Sequence, residues 1–199
     1  MSEVEYQKHY YPGTRDELVA RLREQLSDFR FEHVVRVEHT AVKLASRYGI
    51  DAEKASVAGL VHDYAKECSD EQFKAVIQRE HMDPDLLNWG NFIWHGEVGA
   101  RIINQELGIT DQEILDAVRF HTVGAPHMTP LQQLTYVADF IEPGRDFPDV
   151  ATARAVAQTS LEQTVVYETK HTLTYLMAND RPIYPAAIAT YNAWIGNRK

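Results

Sequence analysis

The chain has one cysteine, Cys68, in 199 residues, so no internal disulfide can staple it and its stability has to come from a packed core. No stretch approaches the ~18 uninterrupted apolar residues that a membrane span requires, so no helical span is expected. Met1-Ser2-Glu3-Val4-Glu5 carries neither the basic flank nor the apolar run of a secretory signal, and together with the lone thiol this points to the cytoplasm. Positive charge is in deficit: 20 Lys and Arg face 29 Asp and Glu, a formal charge of −9. Attraction to nucleic acid or to an anionic membrane surface rests on excess cation, so neither is an expected partner. A small phosphorylated ligand stays open, because a few local cations or a bound metal can hold phosphate on an acidic protein. Strand signals are also missing. There is no sustained period-two alternation, no Asn-Gly or Asp-Gly hairpin between apolar runs, and no internal repeat.

What is present is helical periodicity. Val34, Val37, Ala41, Leu44, Ala45 and Tyr48 recur at intervals of three and four, and Gly49 follows as a stop. Thr14/Glu17, Ser69/Gln72 and Thr110/Glu113 have the spacing of capping boxes, in which each side chain satisfies a free backbone N–H. Thr129-Pro130 and Tyr184-Pro185 add two starts, since proline at the first helical position loses no hydrogen bond. These signals predict helices over 15–26, 30–48, 52–67, 70–81, 95–107, 111–121, 130–141, 149–158, 160–178 and 185–195, an all-α fold. The irregular segments 82–94, 122–129 and 142–148 concentrate Pro and Gly, and such loops on a helical scaffold often carry ligand contacts.

Several polar residues fall where apolar ones are expected. His33 lies one turn before Val37, and His121 follows Ile114 and Val118 on a buried face. Asp139 interrupts the run from Tyr136 to Ile141, where an unpaired carboxylate would be costly and a metal ion would supply its partner. His62-Asp63 stands within an Ala-rich segment read as helix, where neighbouring side chains diverge by ~100° and converge only on an ion placed between them. His95 is a further candidate. Of the nine histidines, His9, His39, His81, His127 and His171 read as ordinary surface or packing residues, and Cys68 as a small packing residue. Trp89, Phe92 and Trp94 suit either a purine pocket or an anchor to the core.

The order His33, His62-Asp63, Asp139 resembles the H…HD…D signature of the HD superfamily of metal-dependent phosphohydrolases. The finer text from Gly59 to Lys66, from Trp94 to Gly96, from Arg119 to Thr122, from Tyr136 to Asp139 and from Ile141 to Pro148 is similar to the bacterial YqeK family. The likeness extends over residues 28–195. It implies an HD phosphohydrolase domain over 28–199, packed as one globular unit with an N-terminal extension and leading helix over 1–27.

The resemblance further implies iron-dependent symmetrical cleavage of diadenosine tetraphosphate, or a related dinucleoside tetraphosphate, into two nucleoside diphosphates. One or two irons are implied, with manganese or another divalent transition metal also compatible with the donor set. It assigns His33, His62, Asp63 and Asp139 to the metal. Asp63, Lys66, His95 and His121 are assigned to catalysis. Lys66, His95, His121, Asp139 and Arg145 are assigned to substrate, together with the segment Pro182, Ile183, Tyr184, Pro185, Ala186 and Ala187. Tyr184 replaces the histidine expected in many relatives. Another HD nucleotidase, a cyclic-nucleotide phosphodiesterase and a non-catalytic nucleotide sensor are the competing readings, and a homodimer is left open.

Overall fold

Most of the expected start signals open a helix. Thr14 and Glu17 form a reciprocal capping box ahead of α1 (Arg15–Gln25), and Ser69 and Gln72 do the same ahead of α4 (Asp70–Arg79). Thr129 caps α8 (Pro130–Ile141) through Gln132, with Pro130 in the first turn. The expected Thr110/Glu113 box is corrected. α7 (Gln112–Phe120) is instead capped one residue later by Asp111, whose carboxylate accepts the Ile114 N–H at 3.1 Å.

In the computed structural model residues 4–195 are described; residues 1–3 of the expected N-terminal extension and 196–199 of the expected HD domain lie outside the described residues. The remaining helices are α2 (Asp28–Tyr48), α3 (Ala52–Val61), α5 (Asn91–Glu97), α6 (Gly99–Leu107), α9 (Val150–Ala157), α10 (Leu161–Ala178) and α11 (Pro185–Ile195). A short 3-10 helix occupies Pro84–Asn88, and there is no strand among the described residues. No described helix is long and apolar enough to cross a membrane.

Two helices differ from expectation in ways that matter. The helix predicted over 52–67 ends at Val61, and residues 62–67 continue as turns in which the N–H of Tyr64, Lys66 and Cys68 bond three residues back. His62 and Asp63 therefore leave a helix end rather than a helix side. The helix predicted over 95–107 starts at Asn91 and is divided at Val98 into α5 and α6, so His95 sits in a short helix of its own.

α2 and α3 form the central pair, with α8 and α7 packed against them and α10 laid across α8. Gly59 makes the α2–α3 approach close: a Cβ there would stand 2.9 Å from the Glu38 Cα. Glu38 is itself buried, held by Arg15 at 2.6 Å and by Ser56 Oγ at 2.5 Å. Tyr6 extends this chain to the N-terminal segment through its 3.0 Å contact with Ser56. Gly96 plays a similar part for α5, because its Cβ would meet Thr122 Oγ1 at 2.5 Å. These approaches set His62, His95 and His121 side by side.

Candidate metal centre

Four imidazoles from four separate segments face one another. The ring centroids run His33 to His62 at 5.3 Å, His62 to His121 at 5.0 Å and His121 to His95 at 5.0 Å. All four residues are at most 3% exposed. Their Nδ1 atoms are spoken for: His62 bonds Gly59 O at 2.8 Å, His121 bonds Val118 O at 2.6 Å, and His95 bonds Asn91 O at 2.5 Å. His33 bonds Glu142 Oε1 at 3.2 Å. A carbonyl or an ionised carboxylate can only accept, so each Nδ1 carries a hydrogen and each ring turns its Nε2 inward.

The inward atoms are poor hydrogen-bond partners for one another and good ones for a cation. His33 Nε2 and His62 Nε2 stand 3.3 Å apart, and the buried His121 Nε2 has no hydrogen-bond partner. Asp139 Oδ1 lies 3.1 Å from His33 Nε2 and 3.9 Å from His62 Nε2. Asp63 bridges the four rings, with Oδ2 3.6 Å from His33 and 3.7 Å from His62, and Oδ1 3.5 Å from His95 and 3.7 Å from His121. Donor atoms of His33, His62 and Asp139 form one group compact enough to hold an ion, and those of His62, Asp63 and His121 form another sharing His62. Imidazole nitrogens mixed with carboxylate oxygens suit a divalent transition metal rather than calcium.

Electrostatics keep the donors in the protonation state that a metal needs. Burial lowers the His62 pKa to about 4. Burial, joined by the Lys66 ammonium, lowers that of His95 to about 3. Burial works against charge on Asp63, yet its carboxyl is held well below the usual range, and the Arg30 guanidinium pairs with it at 2.6 Å. Burial also opposes charge on Asp139, and there the Arg145 guanidinium reverses it. His62 and His95 are thus neutral, and Asp63 and Asp139 ionised, near neutral pH.

Three cations edge the cluster. Arg30 pairs with Asp63, Arg145 pairs with Asp139, and Lys66 Nζ lies 3.1 Å from His95 Nε2. Arg30 was not singled out from the sequence. It lies one turn before His33 on α2, but a cation near a helix start reads as an ordinary solvated residue. Glu142 is the other addition: buried, it joins His33 to Arg36 Nε at 2.7 Å. The five histidines set aside earlier stay apart, with His9, His39, His81 and His127 exposed and His171 against Phe140 and Phe147.

A cavity of about 510 Å³ opens where α5, α10 and the start of α11 meet, lined by Phe92, Thr122, Tyr136, Thr172, Leu173 and Tyr184 among others. Of the segment expected to meet nucleotide, Pro182, Tyr184 and Ala187 border this cavity. Ala186 faces a second cavity of about 420 Å³, Ile183 lines a separate pocket with Tyr191, and Pro185 is exposed at the head of α11. The aromatics divide in the same way. Trp94 is a core anchor, 1% exposed with its indole N–H on Leu86 O, whereas Phe92 is half exposed on the cavity wall.

The HD domain family matches residues 30–144, from Arg30 to just short of Arg145. A symmetrical bis(5'-nucleosyl)-tetraphosphatase of Bacillus subtilis (strain 168) is 43% identical over 181 residues, covering 91% of this chain and 97% of that protein. The chain belongs to this HD-domain tetraphosphatase family. The Halalkalibacterium halodurans member is 36% identical over 185 residues, covering 93% of this chain and 99% of that protein. Among solved structures, an HD superfamily hydrolase from Clostridium acetobutylicum, described as involved in NAD metabolism, is 31% identical and superposes with a TM-score of 0.87. It covers 92% of this chain and 97% of its own. The HD-domain match takes in all four imidazoles.

Proposed function

We propose that this protein hydrolyses diadenosine tetraphosphate at the centre of its phosphate bridge, yielding two ADP. The observation that carries the reading is the convergence of four inward imidazole nitrogens and two carboxylates beside three cations and an open cavity. Membership in a family whose relatives bear the name symmetrical bis(5'-nucleosyl)-tetraphosphatase selects the substrate. His33, His62, Asp63 and Asp139 are the ligands in this reading, with His121 also compact with His62 and Asp63. Iron is the metal we favour, in one or two copies, and manganese has compatible donor preferences. A divalent ion there supplies Lewis acidity and brings the pKa of water toward ~7.

The chain's own residues then do the rest. Asp63 accepts the proton of the attacking water, whose oxygen joins one of the two central phosphorus atoms. The bond from that phosphorus to the central bridging oxygen breaks, and the oxygen leaves on the second ADP. Lys66, Arg30 and Arg145 neutralise the charge that grows on the transferred and departing phosphates, Arg145 with a two-pronged guanidinium. His95 and His121 orient phosphate oxygens, and Asp139 holds Arg145 in place. Pro182, Tyr184 and Ala187 bound the nucleoside side of the site. The partner is a small molecule, consistent with a formal charge of −9 that disfavours nucleic acid, and we place the reaction in the cytoplasm.

Product analysis tests the reading. Metal-loaded protein should convert diadenosine tetraphosphate to ADP alone, and AMP with ATP as the main products would refute the cleavage position. A panel with nucleoside monophosphates and cyclic nucleotides separates other HD phosphohydrolase activities. Tight binding without turnover would favour a nucleotide sensor. Asp63→Ala should abolish both metal retention and hydrolysis.

A further inference from the structure

One buried carboxyl takes no part in the scheme above. Glu168 on α10 is 6% exposed, and its Oε2 has no hydrogen-bond partner. Buried polar groups are nearly always paired, and one left open inside a ligand-binding region is a candidate contact for what binds there. Its surroundings narrow the choice. Glu168 feels the charges of Asp139 and Arg145 on one side. On α10 it lies one turn before Thr172, and the next residue, Thr169, meets the Tyr136 hydroxyl at 3.3 Å. Thr169, Thr172, Leu173 and Tyr136 all line the 510 Å³ cavity. Glu168 does not itself line that cavity; it lies at the junction between these wall residues and the phosphate-holding cluster.

This inference rests on the nucleotide reading. A nucleotide with phosphates at the cluster and base in the cavity must lay its sugar across that junction. Three cations already serve the phosphates, whereas no other unpaired buried side-chain oxygen is found among the described residues. We propose that Glu168 is a specificity-determining residue that hydrogen-bonds a sugar hydroxyl of the bound nucleotide. A hydroxyl both donates and accepts, and burial raises the Glu168 pKa well above the usual carboxyl range, giving a neutral group with the same dual capacity.

The test is calorimetric binding of ADP, 2'-deoxy-ADP and 3'-deoxy-ADP to the metal-loaded protein. Native protein should favour ADP over at least one deoxy compound, by on the order of fivefold to tenfold for one hydrogen bond. Glu168→Leu should erase that preference while leaving affinity for the deoxy compound unchanged, and Glu168→Gln, a neutral donor and acceptor, should keep most of it. The Leu variant should melt no lower than native, because it removes an unpaired buried oxygen. A purely structural carboxyl would give a lower melting temperature and equal weakening toward all three ligands. That result overturns the proposal, as does an undiminished preference in Glu168→Leu or no preference in native protein. Native metal-loaded protein that binds none of the three would instead overturn the nucleotide reading beneath it.

Discussion

His33 and Glu142, separated by 109 residues of sequence, meet through a 3.2 Å contact that fixes which nitrogen of the imidazole faces the cluster. Glu142 is held in turn by Arg36 Nε at 2.7 Å and by the Gly144 N–H. Partners of this kind orient a ligand and raise its basicity, and their loss costs roughly 10–100-fold in metal affinity. Glu142→Gln should therefore lower metal affinity by about that factor while the circular dichroism stays native. Competition with a chelator measures it, and unchanged affinity would remove Glu142 from the site.

Arg30 pairs with Asp63 at 2.6 Å and contributes no metal ligand. Replacing it by Met should leave metal content near native and reduce kcat/KM for diadenosine tetraphosphate by on the order of 10²-fold, the scale of one lost charge-stabilising donor. Metal loss in parallel with activity would mean that Arg30 acts only by holding Asp63.

The metal-free protein should lose stability as pH falls. His62 and His95 titrate near 4 and 3 in the folded chain, against ~6.5 when unfolded. Below ~6.5 the unfolded chain takes up protons that the native chain does not. Their contribution is thus complete above that value and is lost as pH falls toward 4 and 3. Asp63 and Asp139, depressed below the carboxylate range, lose theirs at lower pH still. Denaturant midpoints from pH 7 to 4 should fall steadily, and a flat profile would contradict these shifts.

Gly59→Ala should destabilise the protein by roughly 1–3 kcal/mol, the usual cost of overpacking, because the new Cβ meets the Glu38 backbone. Since the His62 Nδ1–H bonds the carbonyl of this same residue, metal affinity should fall with it. Thermal melts and metal titration of one preparation check both, and a native melting temperature would show that α2 and α3 can separate at no cost.

The sequence by itself determined the all-α architecture and the order of the principal cluster residues. Apolar spacing, capping pairs such as Thr14/Glu17 and stops such as Gly49 act over a few residues, so they can be read without knowing what lies opposite. His33, His62, Asp63, His121 and Asp139 were legible because polar side chains sat where apolar ones were due, and His95 through the family likeness of Trp94-His95-Gly96. Only the tertiary structure decided the rest. α3 ends at Val61, so His62 and Asp63 leave a helix terminus, and Asp111 rather than Thr110 caps α7. Arg30 and Glu142 joined the site, and Trp94 parted from Phe92, through contacts between segments far apart in the chain. Nothing in the local pattern marks an arginine as facing Asp63 instead of water, because that depends on which helix end packs beside it.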